Sequence, residues 1–461
     1  MTLFRKRSDI DMTNGPFLGK IIAFIIPLCI THILQNLYHA ADLAVIGQFR
    51  GDTALAAIGS TSSLNSMLVS LFIGISAGAG VMAAQYIGAK DDERLHHIVH
   101  SSVLLALTLG LVGGLLFFVS APLLLRWIDV PESIFSQSLL YIRIIFFGFP
   151  ASMLYNYCAA IVRASGDSKH PLIYLTVSGV TNVALNLLLV LVFGYGVEGV
   201  AIATISSQYL SSTLMLIHLF RQKGALHFSP RRLRFDRFAV RNILYIGVPM
   251  GVQNTVFNLA NVMVQASVNA FGDIAIAGNT AACNLENFPY VAMGSVNQAA
   301  VTFVGQNVGA RRHENVRRIT RDCLLITIVI GTVGAGTLLL FREFFVGLYA
   351  DSAAAMEIAF KKMFFNLPLF PLVGVMEVLN SELRSMGKSV SAMCISLTSA
   401  CAVRILWIQL MTRLVPGSIE IVFSAHPASH VVGFAANVIV FTVCYKKFMR
   451  TAKGETPIST V

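Results

Sequence analysis

Residues 101–125 read SSVLLALTLGLVGGLLFFVSAPLLL, a run without a single charged side chain. Charged residues flank this run, with Arg94 before it and Arg126 directly after it. A helix of about 20 predominantly apolar residues crosses the hydrocarbon core of a bilayer and satisfies its backbone hydrogen bonds internally. The run therefore predicts a transmembrane helix.

The composition extends this prediction to the whole chain of 461 residues. Hydrophobic residues make up 55% of the positions, charged residues make up 12%, and the mean hydropathy is +0.71. A soluble domain carries about 25% charged residues, so this composition argues against a water-soluble protein. The charges lie in short clusters between long apolar runs, which predicts an all-α polytopic membrane protein with 12 transmembrane helices. The predicted spans are residues 20–47, 54–84, 101–125, 134–162, 171–194, 199–220, 242–271, 275–305, 323–341, 358–382, 389–412 and 424–445.

The distribution of Lys and Arg predicts the orientation, because short loops rich in these residues stay in the cytoplasm. Most of the 34 lie at the N-terminus, in the even-numbered loops or in the C-terminal tail. We therefore expect a multi-pass protein of the cell membrane, in contact with its lipids, with both termini in the cytoplasm. The basic stretch 221–241 is interpreted as a linker that sets the topology, not as a nucleic-acid site. The Lys and Arg assigned to odd-numbered loops are Arg50, Arg126, Arg342, Lys361, Lys362 and Arg413.

The two halves of the chain repeat each other. Because each half holds six spans, both repeats enter the membrane from the same side. The repeat predicts two pseudo-symmetric six-helix lobes, an N-terminal lobe over residues 1–225 and a C-terminal lobe over residues 226–461. An offset of 221 relates Gly51-Asp52 to Gly272-Asp273, Gln85 to Gln306, Gly88-Ala89 to Gly309-Ala310, Arg163 to Arg384 and Gly166 to Gly387, and an offset of 222 relates Pro27 to Pro249.

Nucleotide, metal and redox sites are not indicated by the motifs. Gly387-Lys388-Ser389 has Glu382 where a Walker loop needs its first glycine. His96 and His100 have a spacing that can bind metal, but they lie in a basic loop without an HExxH arrangement. The seven cysteines are scattered without a CxxC pair. We therefore expect no catalytic site, no resident metal and no organic cofactor.

Ionisable residues inside spans are costly, by at least ~2.5–3.5 kcal/mol at the bilayer centre on insertion scales, so each is a functional candidate. Asp42 lies in the first span, and Gln35 and Tyr38 share its helical face at i, i+3 and i+7 spacing. The alternative interpretation of Asp42 is a carboxylate near a helix end that reaches the membrane surface. Glu286 lies well inside the eighth span, one turn before Tyr290. A structural pairing of Glu286 with a polar neighbour is as consistent with the sequence as a coupling role.

Polar residues in other spans complete the candidate sites. Oxygen donors beside a carboxylate suit Na⁺, whereas a carboxylate that is shielded from water without such an ion can carry a proton. The asparagines of the seventh span are candidates for a substrate cavity together with Gln35, Tyr38 and Tyr290, or for hydrogen bonds between helices. The residues in question are Asn182, Asn186 and Thr204 for cation coupling, and Asn254, Asn258 and Asn261 in the seventh span.

Five further span residues have a structural interpretation. Pro27 and Pro249 each interrupt the first helix of a repeat and could act in gating, although proline bends are ordinary in membrane helices. Arg404 lies inside the eleventh span and needs a partner that the sequence alone does not identify. Gly74 and Gly78 form a GxxxG pattern that predicts close helix packing.

A series of motifs follows one another along the chain in the order Ile26-Pro27-Leu28, Asp42 with Gly47-Gln48, Leu55-Ala56-Ala57-Ile58-Gly59, Ala84-Gln85-Tyr86-Ile87-Gly88-Ala89, Arg163-Ala164-Ser165-Gly166-Asp167-Ser168 and Gly305-Gln306-Asn307-Val308-Gly309-Ala310. These motifs and their order resemble those of the multidrug and toxic compound extrusion (MATE) family, specifically its bacterial DinF-like and MepA-like branches. The resemblance covers nearly the whole chain. It implies an antiporter that exports drugs or other amphipathic, often cationic, small molecules against Na⁺ or H⁺ by alternating access, and that works as a monomer.

The resemblance also implies site residues. Asp42 matches the first-helix aspartate of the family, and the polar residues Asn182, Asn186 and Thr204 match positions around it. Glu286 resembles the eighth-helix glutamate of the DinF-like and MepA-like branches. The acidic residues of the NorM-like branch fall at Phe257 and Val373, which argues against that branch.

Two other transport functions are alternatives to cation-coupled drug export. A flippase for lipid-linked precursors, of the same superfamily, is the main alternative, and it would be expected to have a cationic cavity and often two extra spans. This chain is predicted to have a mainly acidic or neutral interior. A major-facilitator importer would carry a glycine-aspartate-arginine loop, which Gly88-Ala89-Lys90-Asp91-Asp92 replaces here.

Overall fold

A computed structural model describes residues 10–350, 352–415 and 417–452. In this part of the chain, almost all of the regular structure is helical. Two helices contain π-helical turns, at Leu188–Val192 and Leu397–Val403, and short 3₁₀ turns lie at Gly224–Leu226, Pro230–Arg232 and Leu367–Leu369. The α-helices are α1 Phe17–Ala89, α2 Asp92–Trp127, α3 Glu132–Phe147, α4 Phe149–Ala164, α5 Lys169–Leu187, α6 Val197–Arg221, α7 Arg237–Asn269, α8 Asp273–Gly309, α9 His313–Leu340, α10 Arg342–Gly347, α11 Ala353–Asn366, α12 Phe370–Ser385, α13 Ser389–Ser396, α14 Arg404–Leu414 and α15 Ile419–Ala452.

The helices account for all twelve predicted spans. By length and hydropathy, eight helical stretches of the described residues could cross a membrane, and the pair α3–α4, bent by 44°, makes a ninth. Helix α1 has 73 residues, about 110 Å at 1.5 Å per residue, so it is far too long for one crossing. It leaves helical geometry at Gly51 and forms two spans. Helices α7 and α8 are long enough to form the two remaining spans. The all-α fold with twelve spans is confirmed.

The described chain forms two compact units. The first unit contains residues 10–11 and Ile26–Gly251, and the second contains Met12–Ile25 and residues 252–452. Their boundaries divide α1 next to Pro27 and α7 next to Pro249. The predicted lobe boundary at residue 225 lies instead in the connection after α6, so that division into transport lobes stays a prediction.

Each unit has its own apolar core and close helix packing. In the first unit, Ile46, Leu125 and Phe146 are buried together. The GxxxG prediction is confirmed there, because a Cβ at Gly78 would meet the backbone of the first part of α7, 2.8 Å from the nitrogen of Gly247. In the second unit, Met363 and Leu367 are among the buried residues that unite α8, α9 and α11.

The backbone repeats the sequence duplication at equivalent turns. Gly51 has φ 77° and ψ −178°, and Gly272 has φ 87° and ψ −178°. This region of φ/ψ space is essentially restricted to glycine, so both positions need the residue that the repeat supplies.

Helix packing repeats at the same offset of 221 residues. A Cβ at Gly110 would lie 2.6 Å from Cα of Pro150, and a Cβ at Gly331 would lie 3.0 Å from the nitrogen of Pro371. The two halves therefore share turns and also helix contacts.

Candidate functional site

The first unit brings the first-helix acid together with the three polar residues predicted around it. Asp42 is buried, with 7% of its surface exposed. One carboxylate oxygen accepts a hydrogen bond from the side-chain amide of Asn186, and the other accepts one from Thr204 Oγ1 at 3.4 Å. The Asn186 amide also donates to Asn182 Oδ1 at 3.4 Å. Helices α1, α5 and α6 thus converge on the carboxylate of Asp42. The alternative interpretation, that Asp42 reaches the membrane surface, does not fit its burial.

The Asp42 cluster contains no internal counter-charge. Among the described residues, no Lys, Arg or His nitrogen lies within 4.0 Å of its carboxylate oxygens. Its partners are neutral hydrogen-bond donors, and Oδ1 of Asn186 is buried without a partner. A buried charge without a counter-charge is costly, so this site is suited to accept a cation from outside the protein.

The helix geometry explains how Asn186 reaches Asp42. Asn182 and Asn186 lie one turn apart on α5, so they share a face, and the π-helical turn Leu188–Val192 follows directly. Such turns are frequent at functional sites. Arg50, which we predicted to lie in a loop, donates to the carbonyl of Val190 within this turn at 2.6 Å.

Tyr38 and Gln35 lie on the same helix as Asp42 in the first unit. The Tyr38 ring packs on Gly179 of α5, where it takes the space of a Cβ, and its hydroxyl donates to the carbonyl of Thr176 at 3.5 Å. Gln35 is half-buried. Pro27 lies one turn before Thr31, whose hydroxyl donates to its carbonyl at 2.7 Å.

Glu286 has a different environment, in the second unit. It is as buried as Asp42, with 7% exposed, but Nζ of Lys362 lies 3.8 Å from its Oε2. Asn366 donates to the same oxygen at 2.9 Å, and Lys362 also donates to Sγ of Cys283 at 2.6 Å. The assignment of Lys362 to a loop is wrong, because only 3% of this residue is exposed. The pairing of Glu286 is thus observed, and its role in cation coupling stays a prediction.

These residues line a cavity of about 450 Å³ within the second unit. Of the predicted cavity residues, Asn258 and Tyr290 line it, together with Glu286. Asn254 lies on the same helix, outside the described lining. Gln35 and Tyr38 belong to the first unit, so the predicted set of cavity residues does not form one wall within either unit.

The structure identifies the partners of Arg404. Its guanidinium donates to Oδ1 of Asn261 at 3.0 Å and to Oγ of Ser429 at 3.3 Å, and it lies 5.7 Å from the centre of the Phe257 ring. Lys362, Arg384 and Arg404 are all buried in the second unit. Most buried polar residues of this unit are neutral or acidic, as expected, but the unit also buries these three cations, which the sequence analysis did not anticipate.

Three potential metal ligands meet at one end of α5 and α6. The ligand atoms of Asp167, His170 and His218 lie within 4.8 Å of one another, a cluster that the sequence analysis did not identify. Tyr174 lies 3.1 Å from Nδ1 of His218, and Gln222 lies 2.8 Å from its Nε2. Because both ring nitrogens of His218 already have hydrogen-bonding neighbours, we interpret the cluster as a polar network.

The MatE family model matches residues 27–188 and again residues 249–407. This chain is a MATE family transporter. The two matches begin at Pro27 and Pro249, the positions that the internal repeat pairs. The MATE fold predicted from the motif order is thus confirmed in both halves of the chain.

Relatives and solved structures agree with this assignment. The chain is 27% identical over 371 residues to the probable multidrug resistance protein YoeA of Bacillus subtilis, covering 79% of this chain and 80% of the relative. It is 26% identical to the probable multidrug resistance protein YpnP of the same organism, covering 86% and 88%. A crystal structure described as MATE in the bent conformation has a TM-score of 0.91 at 18% identity, covering 97% and 99%.

Sequence reasoning missed two buried ionisable residues of the second unit, Lys362 and Glu382. Lys362 is four residues from Asn366, a spacing that places both side chains on one helical face and could have indicated a polar wall. Glu382 is fully buried and accepts a hydrogen bond from Thr320 at 2.8 Å. The sequence pattern indicates for Glu382 only that it interrupts a nucleotide-binding motif.

Proposed function

We propose that this MATE transporter exports small amphipathic organic compounds from the cell in exchange for Na⁺ or H⁺, with Asp42 as the coupling residue. The names of the relatives YoeA and YpnP support a multidrug substrate range. The observation that carries the coupling proposal is the buried Asp42 carboxylate without a cationic partner in the described residues.

The coupling follows from the charge of this carboxylate. When Asp42 is ionised, the amide of Asn186 and the hydroxyl of Thr204 donate to its oxygens. A bound proton or Na⁺ neutralises the carboxylate and so removes the cost of the isolated charge. Neutralisation also changes the hydrogen bonds that these two donors form. An Na⁺ ion would use the carboxylate, Thr204 Oγ1 and an asparagine oxygen as ligands, the oxygen-rich set that hard cations prefer.

Neutralisation therefore changes the hydrogen bonds that hold α1 against α5 and α6. We propose that this change biases the transporter between outward-open and inward-open states and so links cation entry to substrate exit. A membrane potential that is negative inside favours the entry of one positive charge by ~2.3 kcal/mol per 100 mV. In this proposal Glu286 needs no external ion, because Lys362 compensates its charge.

Gradients of Na⁺ and H⁺, imposed separately on proteoliposomes, test this function. Vesicles that contain the purified protein are loaded with Na⁺, or acidified inside, and the uptake of a fluorescent cationic dye is measured. Antiport predicts uptake that depends on one outward ion gradient and stops when an ionophore for that ion dissipates the gradient, with protein-free liposomes as the control. Dye movement that is equal under every gradient would contradict the proposal. The flippase alternative predicts no dye uptake and transport of a lipid-linked compound instead.

A further inference from the structure

The cavity wall of the second unit carries four charged side chains, the acids Glu286 and Glu377 and the cations Lys362 and Arg404. Glu286 pairs with Lys362 at 3.8 Å. Among the described residues, neither Glu377 nor Arg404 forms an ion pair within 4.0 Å. Arg404 is therefore the cation of this wall without a paired acid.

Arg404 has only neutral partners among the described residues. Asn261 and Ser429 each accept one hydrogen bond from its terminal nitrogens, and no carboxylate oxygen lies within 4.0 Å. Its Nε is buried without an acceptor, and only 1% of the residue is exposed. A guanidinium has five N–H donors in a planar fork that matches the oxygens of carboxylates and phosphates.

Other groups of the cavity add no negative charge. His426 and His430 line the same wall. As neutral imidazoles they leave the charge of the wall unchanged, and as imidazolium ions they would make it positive. The aromatic rings of Phe257, Tyr290 and Phe370 supply apolar surface in the same cavity, and about 450 Å³ is enough for a drug-sized compound.

The geometry points to a binding site for an oxyanion, in which Arg404 pairs with the carboxylate or phosphate of an amphipathic organic anion or zwitterion. The aromatic side chains contact the apolar part of the compound. Binding of such a group gives the buried guanidinium the counter-charge that the protein does not provide. This inference rests on the proposed export function and changes the expected substrate class, since cationic compounds without an anionic group do not satisfy Arg404.

Two dyes that differ only at one carboxyl group test the inference. Tetramethylrhodamine carries a free carboxylate, whereas its methyl ester is a cation with the same ring system. We expect purified wild-type protein to bind the acid at least about tenfold more tightly than the ester in a fluorescence anisotropy titration, because only the acid can form a charge-assisted hydrogen bond with the guanidinium of Arg404. Equal affinities for the two dyes in the wild-type protein would overturn the inference without any variant.

Substitution of Arg404 locates the preference. The variant Arg404→Gln is expected to lose the preference for the acid, and Arg404→Lys is expected to retain part of it, because lysine keeps the charge but not the planar fork. Arg143→Gln is the matched control, since this arginine lies in α3 of the first unit, 5.1 Å from the Phe118 ring centre. A preference that persists in Arg404→Gln would contradict the assignment. Size-exclusion profiles verify folding, and Arg404→Lys provides the test if the glutamine variant does not fold.

Two further measurements distinguish a phosphate ligand from a carboxylate ligand, and the oxyanion site from the proposed cation coupling. Competition by phenyl phosphate and by benzoate distinguishes a phosphate ligand from a carboxylate ligand, and failure of both at millimolar concentration would count against the site. The binding titration needs no ion gradient, so failure of cation coupling in proteoliposomes leaves its result intact. Conversely, gradient-driven uptake of the ester with no preference for the acid would overturn only the oxyanion site.

Discussion

Two buried acids, one in each unit, are equally shielded from water, yet their surroundings differ in charge. Asp42 accepts hydrogen bonds from neutral Asn186 and Thr204, whereas Glu286 has Lys362 at 3.8 Å. The internal counter-charge stabilises the ionised form of Glu286, whereas Asp42 has only neutral donors for its charge. The comparison teaches that burial alone does not distinguish these two acids, and that the counter-charge does.

The largest expected effect is that of Asp42→Asn. Asparagine has nearly the same shape but no charge to exchange, so cation-driven dye uptake into proteoliposomes is expected to fall to the level of protein-free vesicles. Folding is expected to persist, because loss of an unpaired buried charge removes a desolvation cost. The same gradients that drive the wild-type protein provide the measurement.

Two controls show whether this effect is specific to Asp42. Asp52→Asn changes an exposed acid in the same helix and is expected to leave uptake unchanged. Glu382→Gln changes another buried acid that has no Lys, Arg or His within 4.0 Å among the described residues. It is expected to retain ion dependence, because its hydrogen bond comes from one helix, at Thr320 of α9, whereas Asp42 joins side chains of α5 and α6. Loss of coupling in Glu382→Gln as well would show that this convergence of helices does not single out Asp42.

A second substitution removes the counter-charge of Glu286. Lys362→Met is expected to destabilise the protein by about 3–5 kcal/mol, because breaking a buried ion pair leaves an uncompensated charge. The double variant Lys362→Met with Glu286→Gln is expected to recover most of this loss. Thermal unfolding of the detergent-solubilised protein measures both effects.

Lys361 is the matched control for Lys362, since it is the adjacent residue but lies at the surface. It contacts Glu357 at 3.2 Å and Glu420 at 3.0 Å, and exposed pairs of this kind contribute little to stability. Lys361→Met is therefore expected to unfold close to the wild-type temperature. Equal destabilisation by the two methionine variants would contradict the assignment of Lys362 as the counter-charge of Glu286.

The smallest expected effect compares the turns of the two repeats. Gly51→Ala and Gly272→Ala each place a Cβ in a backbone region that other residues avoid, at a cost of about 1–3 kcal/mol. No heavy atom lies within 4 Å of the added Cβ at either position, so backbone strain is the only cost. Similar losses of unfolding free energy in the two variants are expected. A large loss in one and none in the other would show that the repeat does not preserve the turn.

Much of the fold was predictable from the sequence, because apolar runs and glycine positions act locally. The run 101–125 predicts a span without any tertiary contact, and the spacing of Gly51 and Gly272 predicts equivalent turns. The cluster around Asp42 was partly predictable, since Asn182 and Asn186 lie on one face of α5 and the family motif points to them. The contact of Asn186 with Asp42, 144 positions away in the chain, could be found only in the structure.

Hydropathy and repeat spacing determined by themselves that this is a twelve-span membrane protein with an internal repeat, because a backbone in lipid must satisfy its hydrogen bonds within helices. The order of the family motifs added the transport function. Only the tertiary structure decided which buried charges compensate each other. It placed Lys362 beside Glu286 rather than in a loop, and it left Asp42 and Arg404 with neutral partners. A charge interacts most strongly with the groups within a few ångströms of it. Because those groups come from distant parts of the chain, local sequence patterns do not predict them.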